Sequence, residues 1–424
     1  MIASGTERAE DLAVNDARTA VLQEVVLRHG TPTFAYDIPR IRNQVDKLRT
    51  HLPPAIEILY SLKANASLGL CGVLAECGLG ADVASAGELA IALAAGFPVT
   101  KIFLTGPDRS PALLSHLRSL PNVVISLDSA SDLRLLAARQ EHHRALLRLR
   151  PNFCSYATCS TGPDSRFGLT LDDVPSCRDF LVSSGVKVIG FHVFSGSQVL
   201  SAEGLIHHLT GGFNLALQAA EILGMRPEII DIGGGFGVPA GPKDPDPDLA
   251  LVGNELHSLL QRAAPARLVI ELGRYLVGPS GWYLTTVLAH QTRHGRTAVV
   301  VDGGTHQRGD MCGLGLKQKG FAPLVIAHNR SAQGDALVPT DVLGCLSLPG
   351  DVLAEACPLP PLAPGDILAF PNAGAYGLAA SPWLFHSHPA PAEVAFEGSS
   401  IQPLRFRQPP ESVLEDQVRL GTST

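Results

Sequence analysis

The chain has 424 residues, 45% hydrophobic and 17% charged, which is the profile of a globular protein with room for more than one domain and excludes a disordered chain. A formal net charge of −7, with no dense Lys/Arg run, argues against nucleic acid as the main partner. The opening MIASGTERAEDLAV has acidic residues and no long apolar core, so neither a signal nor a transit peptide is expected, and no apolar stretch is long enough to span a membrane.

TPTFAYD, residues 31–37, is strand-like. From about residue 55 to 280, eight short apolar runs alternate with helix-like segments: IEILYSLK, ADVAS, KIFLTG, VVISLD, ALLRLR, VKVIGFHVF, EIIDIGG and RLVIELG. Between them AGELAIALAAG, SPALLSHLRSL and SASDLRLLAARQ carry apolar residues at helical spacing. Eight successive βα units favour a closed (β/α)8 TIM barrel over an open sheet, and such barrels collect their chemistry where strands end. Lys63, Ser85, Arg148, His192, Gly233 and Glu271 all fall at or just after such ends, so that rim is the expected site.

After residue 282 the texture changes to short β-type runs broken by Gly and Pro: TAVVVDGG, PLVIAHN, DVLGCLSLPGDVLAEA, GDILAFPNAGAYG and AEVAFEG. The expected division is an N-terminal segment 1–37 that partly joins a β domain, a barrel 38–282, and a β-rich domain 283–424. CSYATCSTGPDS (154–165) and VPAGPKDPDPD (238–248) have loop composition. Eight cysteines (71, 77, 154, 159, 177, 312, 345 and 357) lie scattered without C-x-x-C, which fits a reducing cytoplasm and offers no zinc framework. The pairs His142-His143 and His207-His208, and HSH at 386–388, have no third ligand near them in the sequence, so no metal is expected.

Three motifs carry chemistry. YSLKAN places Lys63 where a strand leaves the core; DIGGGFG (231–237) opens backbone N–H groups to a phosphate without matching G-x-G-x-x-G; ELGRY (271–275) ends the last barrel strand with a carboxylate and a guanidinium. Each also has a plain structural reading: a surface lysine, a tight turn, an ion pair closing the barrel. FHVFSGSQ adds a ring at His192 and a hydroxyl at Ser195. An imine-forming lysine, glycine amides, a flat ring and a carboxylate for a pyridine nitrogen together describe a pyridoxal 5'-phosphate (PLP) site.

In this order, YSLKAN, DVASAGEL, SRFGL, FHVFSGSQ, DIGGGFG, ELGRY and AGAYG resemble the fold-type III PLP decarboxylases. These are the diaminopimelate, ornithine and arginine decarboxylases, with an alanine racemase-like barrel and a C-terminal β-rich domain. The resemblance runs from about residue 31 to 400. VDGG (301–304) and ASPWLFHSHPAPAEV (380–394) look most like a subgroup tied to secondary metabolism and exopolysaccharide clusters, one member of which acts on a glutamyl unit held by an acyl carrier protein. The resemblance implies decarboxylation of an amino acid through a Lys63 Schiff base and a quinonoid intermediate. It also implies that His192 stacks on the ring, that Ser195, Gly233, Gly234, Gly235 and Tyr376 hold the phosphate, and that Glu271 faces the pyridine nitrogen. Gly273 and Arg274 would also contact the cofactor, with Arg274 reaching the phosphate or the substrate, while Arg148 and Glu88 support the rim. Racemases place an arginine where Glu271 stands, so Glu271 favours decarboxylation. A homodimer with shared active sites is implied by analogy.

One loop departs from the pattern. The family's G-P-x-C-x-x-x-D, whose cysteine protonates the carbanion, corresponds to GCLSLPGD (344–351). Ser347 occupies the cysteine position and Cys345 lies two residues earlier, so either is the candidate acid. Leu348 follows, where decarboxylases of free diamino acids carry Asp or Glu; this favours a modified or carrier-bound substrate. Free diaminopimelate, racemisation and an inactive PLP-binding homologue are the alternatives.

Overall fold

The computed structural model describes residues 5–138, 143–153, 165–184, 186–239, 244–311, 322–326 and 336–421. Cys154, Cys159, Cys312, His142, most of the 154–165 loop, residues 240–243 and the end of PLVIAHN lie outside them. Two compact units emerge: one contains residues 41–277, the other residues 1–40 and 278–424.

In the first unit, Glu57–Ser61, Gly80–Val83, Ile102–Leu104, Val124–Leu127, Arg144–Leu149, Lys187–Val193, Ile229–Gly234 and Arg267–Leu272 close into a parallel barrel. All eight strands are those read from the sequence. Closure is made by Leu59 pairing with Glu271 across the first and last strands. The helices start where the sequence supplies caps: Ser85 accepts from the Glu88 N–H, Ser110 from that of Leu113, and Asp248 from those of Ala250 and Leu251.

Leu59, Phe103, Val124, Leu146, Ile189, Ile229 and Val269 form a buried apolar layer. Strand residues two apart share a face. Two positions further toward the C-terminal ends stand Ser61, Thr105, Ser126, Arg148, Asp231 and Glu271, so the period of two sets a polar layer directly above the apolar plug. On the sixth strand a register shift against Ala145/Leu146 breaks this period, so that His192, three residues after Ile189, comes opposite both Arg148 and Asp231. The apolar layer also supports the site: truncating Phe103 would cost about 3–5 kcal/mol.

The second unit is built on a nine-stranded sheet. Its centre is the long strand Gly281–Arg293, which pairs with Thr33–Asp37, Arg296–Val301 and Ile367–Phe370. Thr33–Asp37 in turn pairs in parallel with Ala392–Glu397, so TPTFAYD contributes a strand to this sheet. Leu22, Val25, Trp282, Leu284, Val394 and Phe396 pack together on it, and the first two belong to a helix, Gly5–His29, that the sequence reading did not anticipate. Among the described residues, no helix is long and apolar enough to cross a membrane.

Candidate active site

Lys63 sits in a 3-10 turn, Leu62–Ala64, directly after the first barrel strand. Leu62 and Ala64 are fully buried and anchor the turn, while the lysine is 42% exposed and sends Nζ to within 3.3 Å of Asp82 Oδ2. The turn can lie there because residue 273 is glycine: a Cβ at that position would fall 2.8 Å from that of Ala64. Asp82 is buried, and its other oxygen accepts from the Thr105 hydroxyl. Phe194 flanks the amine, with its ring centroid 5.4 Å away.

Opposite lies a buried group of ionisable residues. His192 Nε2 is 3.5 Å from Glu271 Oε1, and its Nδ1 shares a 2.8 Å hydrogen bond with Ser126 Oγ. Burial, then the cationic Arg148 and Lys63, hold the imidazole well below its usual range and hence neutral. Glu271 is pushed well above the carboxylate range by burial and by the charges of Asp82 and Asp231. Asp231 is raised by burial, although the Gly233 N–H donating to its Oδ1 at 2.9 Å pulls the other way. Arg148 Nη1 lies 3.3 Å from Asp128 Oδ1, with its guanidinium over Phe167.

The glycine run forms the neighbouring wall. Gly233 and Gly235 adopt φ of +67° and +91°, and a Cβ on Gly234 would come within 1.8 Å of the Glu271 carbonyl. Only glycines let this turn lie against the last strand and the Ser195–Gly196 loop. Ser195 is buried and bonded to His208 Nδ1 at 2.6 Å. Arg274 is buried at the start of a short helix.

The barrel unit thus brings together Lys63, Arg148, His192, Ser195, Gly233, Gly234, Gly235, Glu271, Gly273 and Arg274. Glu88 and Ser85 have a simpler role there: with the Glu88 carboxylate accepting from the Ala84 N–H at 2.7 Å, they cap a helix. Asp82, Thr105, Ser126, Asp128 and His208 were not singled out as site residues; their signal was the period-two phase and, for His208, one helical face opposite Ser195.

Tyr376, Cys345 and Ser347 belong to the β-rich unit. Tyr376 is half-buried at φ +54°. Ser347 and Leu348 lie on an exposed loop tip, whereas Cys345 is half-buried with Sγ 3.7 Å from His388 Nε2. Burial and the Asp351 charge push its thiol up to about 11. The HSH motif, with no third ligand near it in sequence, gains Cys345 and His306 from distant segments.

A PLP ring and phosphate fit the barrel set. Glu271 Oε1 is buried without a hydrogen-bond partner among the described residues, and a protonated ring nitrogen would satisfy it. The family model for the pyridoxal-dependent decarboxylases, pyridoxal binding domain, matches residues 38–278. The chain is 30% identical to the L-glutamyl-[BtrI acyl-carrier protein] decarboxylase of Niallia circulans, over 94% of this chain and 96% of the relative. It is 31% identical to the diaminopimelate decarboxylase of Deinococcus radiodurans, over 94% and 98%. Among solved structures, diaminopimelate decarboxylase from Helicobacter pylori complexed with L-lysine superposes with a TM-score of 0.82 at 25% identity, over 93% of this chain and 98% of that one.

Proposed function

The chain belongs to the pyridoxal-dependent decarboxylases, and from that membership we propose that it removes the α-carboxylate of an amino acid whose distal end is modified or attached to a carrier protein. It is a carboxy-lyase, and its cofactor is pyridoxal 5'-phosphate.

The observation that carries the substrate reading is Leu348, 47% exposed at the tip of the Gly344–Asp351 loop. An apolar side chain gives a distal ammonium no partner, and burying an unpaired ammonium against it is unfavourable. An amide or thioester linkage in place of that ammonium removes the penalty. The Niallia circulans relative, named for a glutamyl unit on an acyl carrier protein, supports this reading. The diaminopimelate decarboxylases support the runner-up, a free diamino acid.

When bound, PLP supplies an aldehyde for amines and a ring that accepts the electron pair left by CO2. In this proposal Lys63 Nζ supplies the covalent anchor, and Asp82, 3.3 Å away, holds it in place between turnovers. Glu271 Oε1 holds a proton on the ring nitrogen, since a buried carboxylate favours the protonated base beside it. His192, its orientation fixed by Ser126, would help hold the ring. Ser195, the turn Gly233–Gly235, Gly273 and Arg274 would hold the phosphate side, with Arg148 supporting the rim. Ser347, with water, would be the proton donor, because it is exposed while Cys345 turns back toward His388.

We also propose a homodimer in which the Gly344–Asp351 loop completes the site of a second copy. A cytoplasmic setting accords with free thiols at Cys71, Cys77, Cys177, Cys345 and Cys357. The test is CO2 release from a panel of free and carrier-linked amino acids; release from free diaminopimelate alone would overturn the Leu348 argument.

A further inference from the structure

We propose that His306, Cys345 and His388 form a binding site for a borderline-soft divalent metal of the zinc class, with a fourth position open to water or an exchangeable ligand. The three side chains come from separate segments of the β-rich unit: the turn after Arg296–Val301, the loop after Val338–Leu343, and the approach to Ala392–Glu397. Each offers one ligand atom, and these atoms lie within 4.8 Å of one another. Cys345 Sγ and His388 Nε2 are 3.7 Å apart, and the two imidazole centroids are 4.8 Å apart.

A tetrahedral zinc with bonds of about 2.3 Å to sulfur and 2.0–2.1 Å to nitrogen spaces its ligand atoms by roughly 3.3–3.6 Å. The Cys345–His388 pair already stands near that spacing, and the remaining separations, at most 4.8 Å, close by about 1.5 Å or less.

A second observation points to a ligand. His306 is 1% exposed, yet neither of its ring nitrogens has a hydrogen-bond partner among the described residues. A buried imidazole with both nitrogens unsatisfied is costly, and a metal on one of them removes half of that cost. One thiolate with two imidazoles suits zinc or cobalt; magnesium and calcium prefer oxygen ligands.

The backbone is already arranged for the purpose. Asp351 is buried; its Oδ1 accepts from the Thr305 N–H at 2.7 Å and hydroxyl at 2.8 Å, and its Oδ2 from the Leu346 N–H at 2.8 Å. The Cys345 N–H donates to the Gly303 carbonyl at 2.9 Å. One carboxylate therefore locks the His306 turn to the Cys345 loop and sets a negative charge beside the metal, as outer partners of metal ligands do. His388 and Cys345 are only partly buried, which leaves a side for entry and for the fourth ligand. Three protein ligands with an open fourth position distinguish such a site from the closed four-ligand structural zinc sites. Binding displaces the Cys345 thiol proton to solvent and ties the loop that carries Ser347 and Leu348 to the rest of its unit.

The test uses untagged, full-length, PLP-loaded protein, stripped with chelator, equilibrated with Zn2+ or Co2+, desalted and assayed for bound metal. The expected result is one metal per chain and, with cobalt, near-ultraviolet thiolate-to-metal absorption that Cys345→Ser abolishes. His388→Ala, at a half-exposed position that tolerates truncation, weakens zinc binding by roughly tenfold or more, whereas Glu271→Gln leaves the stoichiometry at one. Substoichiometric metal, a thiolate band that survives Cys345→Ser, unchanged affinity in His388→Ala, or loss of metal in Glu271→Gln would each overturn the proposal.

Discussion

Replacing Glu271 with Gln keeps the shape of the side chain and removes its capacity for negative charge. In the native site that charge is buried, beside His192 at 3.5 Å, and faces the position proposed for the ring nitrogen. A carboxylate about 4 Å from a unit positive charge contributes about 4 kcal/mol at the effective dielectric typical of protein sites. Loss of most of it in the transition state lowers kcat by about 10²–10³. The cofactor should still bind, because Lys63, Ser195 and the glycine turn are untouched, so the visible absorbance of the loaded enzyme should persist. Stability supplies a control. Glu271, Asp82 and Asp231 repel one another in a buried space, so the cofactor-free variant should melt no lower than the parent. The measurements are kcat from CO2 release, absorbance of the loaded enzyme, and Tm without cofactor. Turnover within about threefold of the parent would refute the role, as would a loss of turnover explained by lower Tm or failed cofactor binding.

Asp231 should govern the pH dependence of the cofactor-free protein. Burial raises it from 3.8 to about 7, so its folded form keeps a proton that the unfolded chain releases, and the stability it contributes is lost as pH rises from about 4 through 7. Asp231→Asn should therefore show a smaller fall in Tm across that window; an identical fall would contradict the assignment. Ser347→Ala should lower turnover more than Cys345→Ala does, read by stopped-assay CO2 release and by-product analysis, and the reverse order would hand the proton to Cys345. Gly273→Ala forces a Cβ to within 2.8 Å of Ala64 and should weaken cofactor binding at least tenfold by shifting the Lys63 turn, a displacement costing about 1.4 kcal/mol or more; unchanged affinity in a cofactor titration would show that the turn tolerates the methyl.

The barrel was legible because each strand is a short β-branched or leucine-rich run bounded by turns, and because polar residues recur where those runs end. Lys63, His192 and Glu271 were visible for that reason. Asp82 and Asp231 sit inside runs already counted as strand, so their part in the charge balance emerges only when the runs are laid side by side and the inward phase is fixed by neighbours such as Leu59 and Val269. The register shift that turns His192 inward has no local signature. Ser85 and Glu88, expected at the rim, cap a helix there, a role their three-residue spacing does announce. The cluster His306, Cys345 and His388 could not be found from spacing, since about forty residues separate each member from the next and only the sheet brings them together. The first helix went unread because Gly5–His29 lacks a marked apolar stripe.

The proposed activity depends above all on a covalent bond between the Lys63 amine and the cofactor. Protein purified with added pyridoxal phosphate, treated with borohydride and digested, should yield a single peptide bearing the reduced pyridoxyl adduct on Lys63, and Lys63→Ala should yield none. An adduct on another lysine, or none on the native chain, would contradict it.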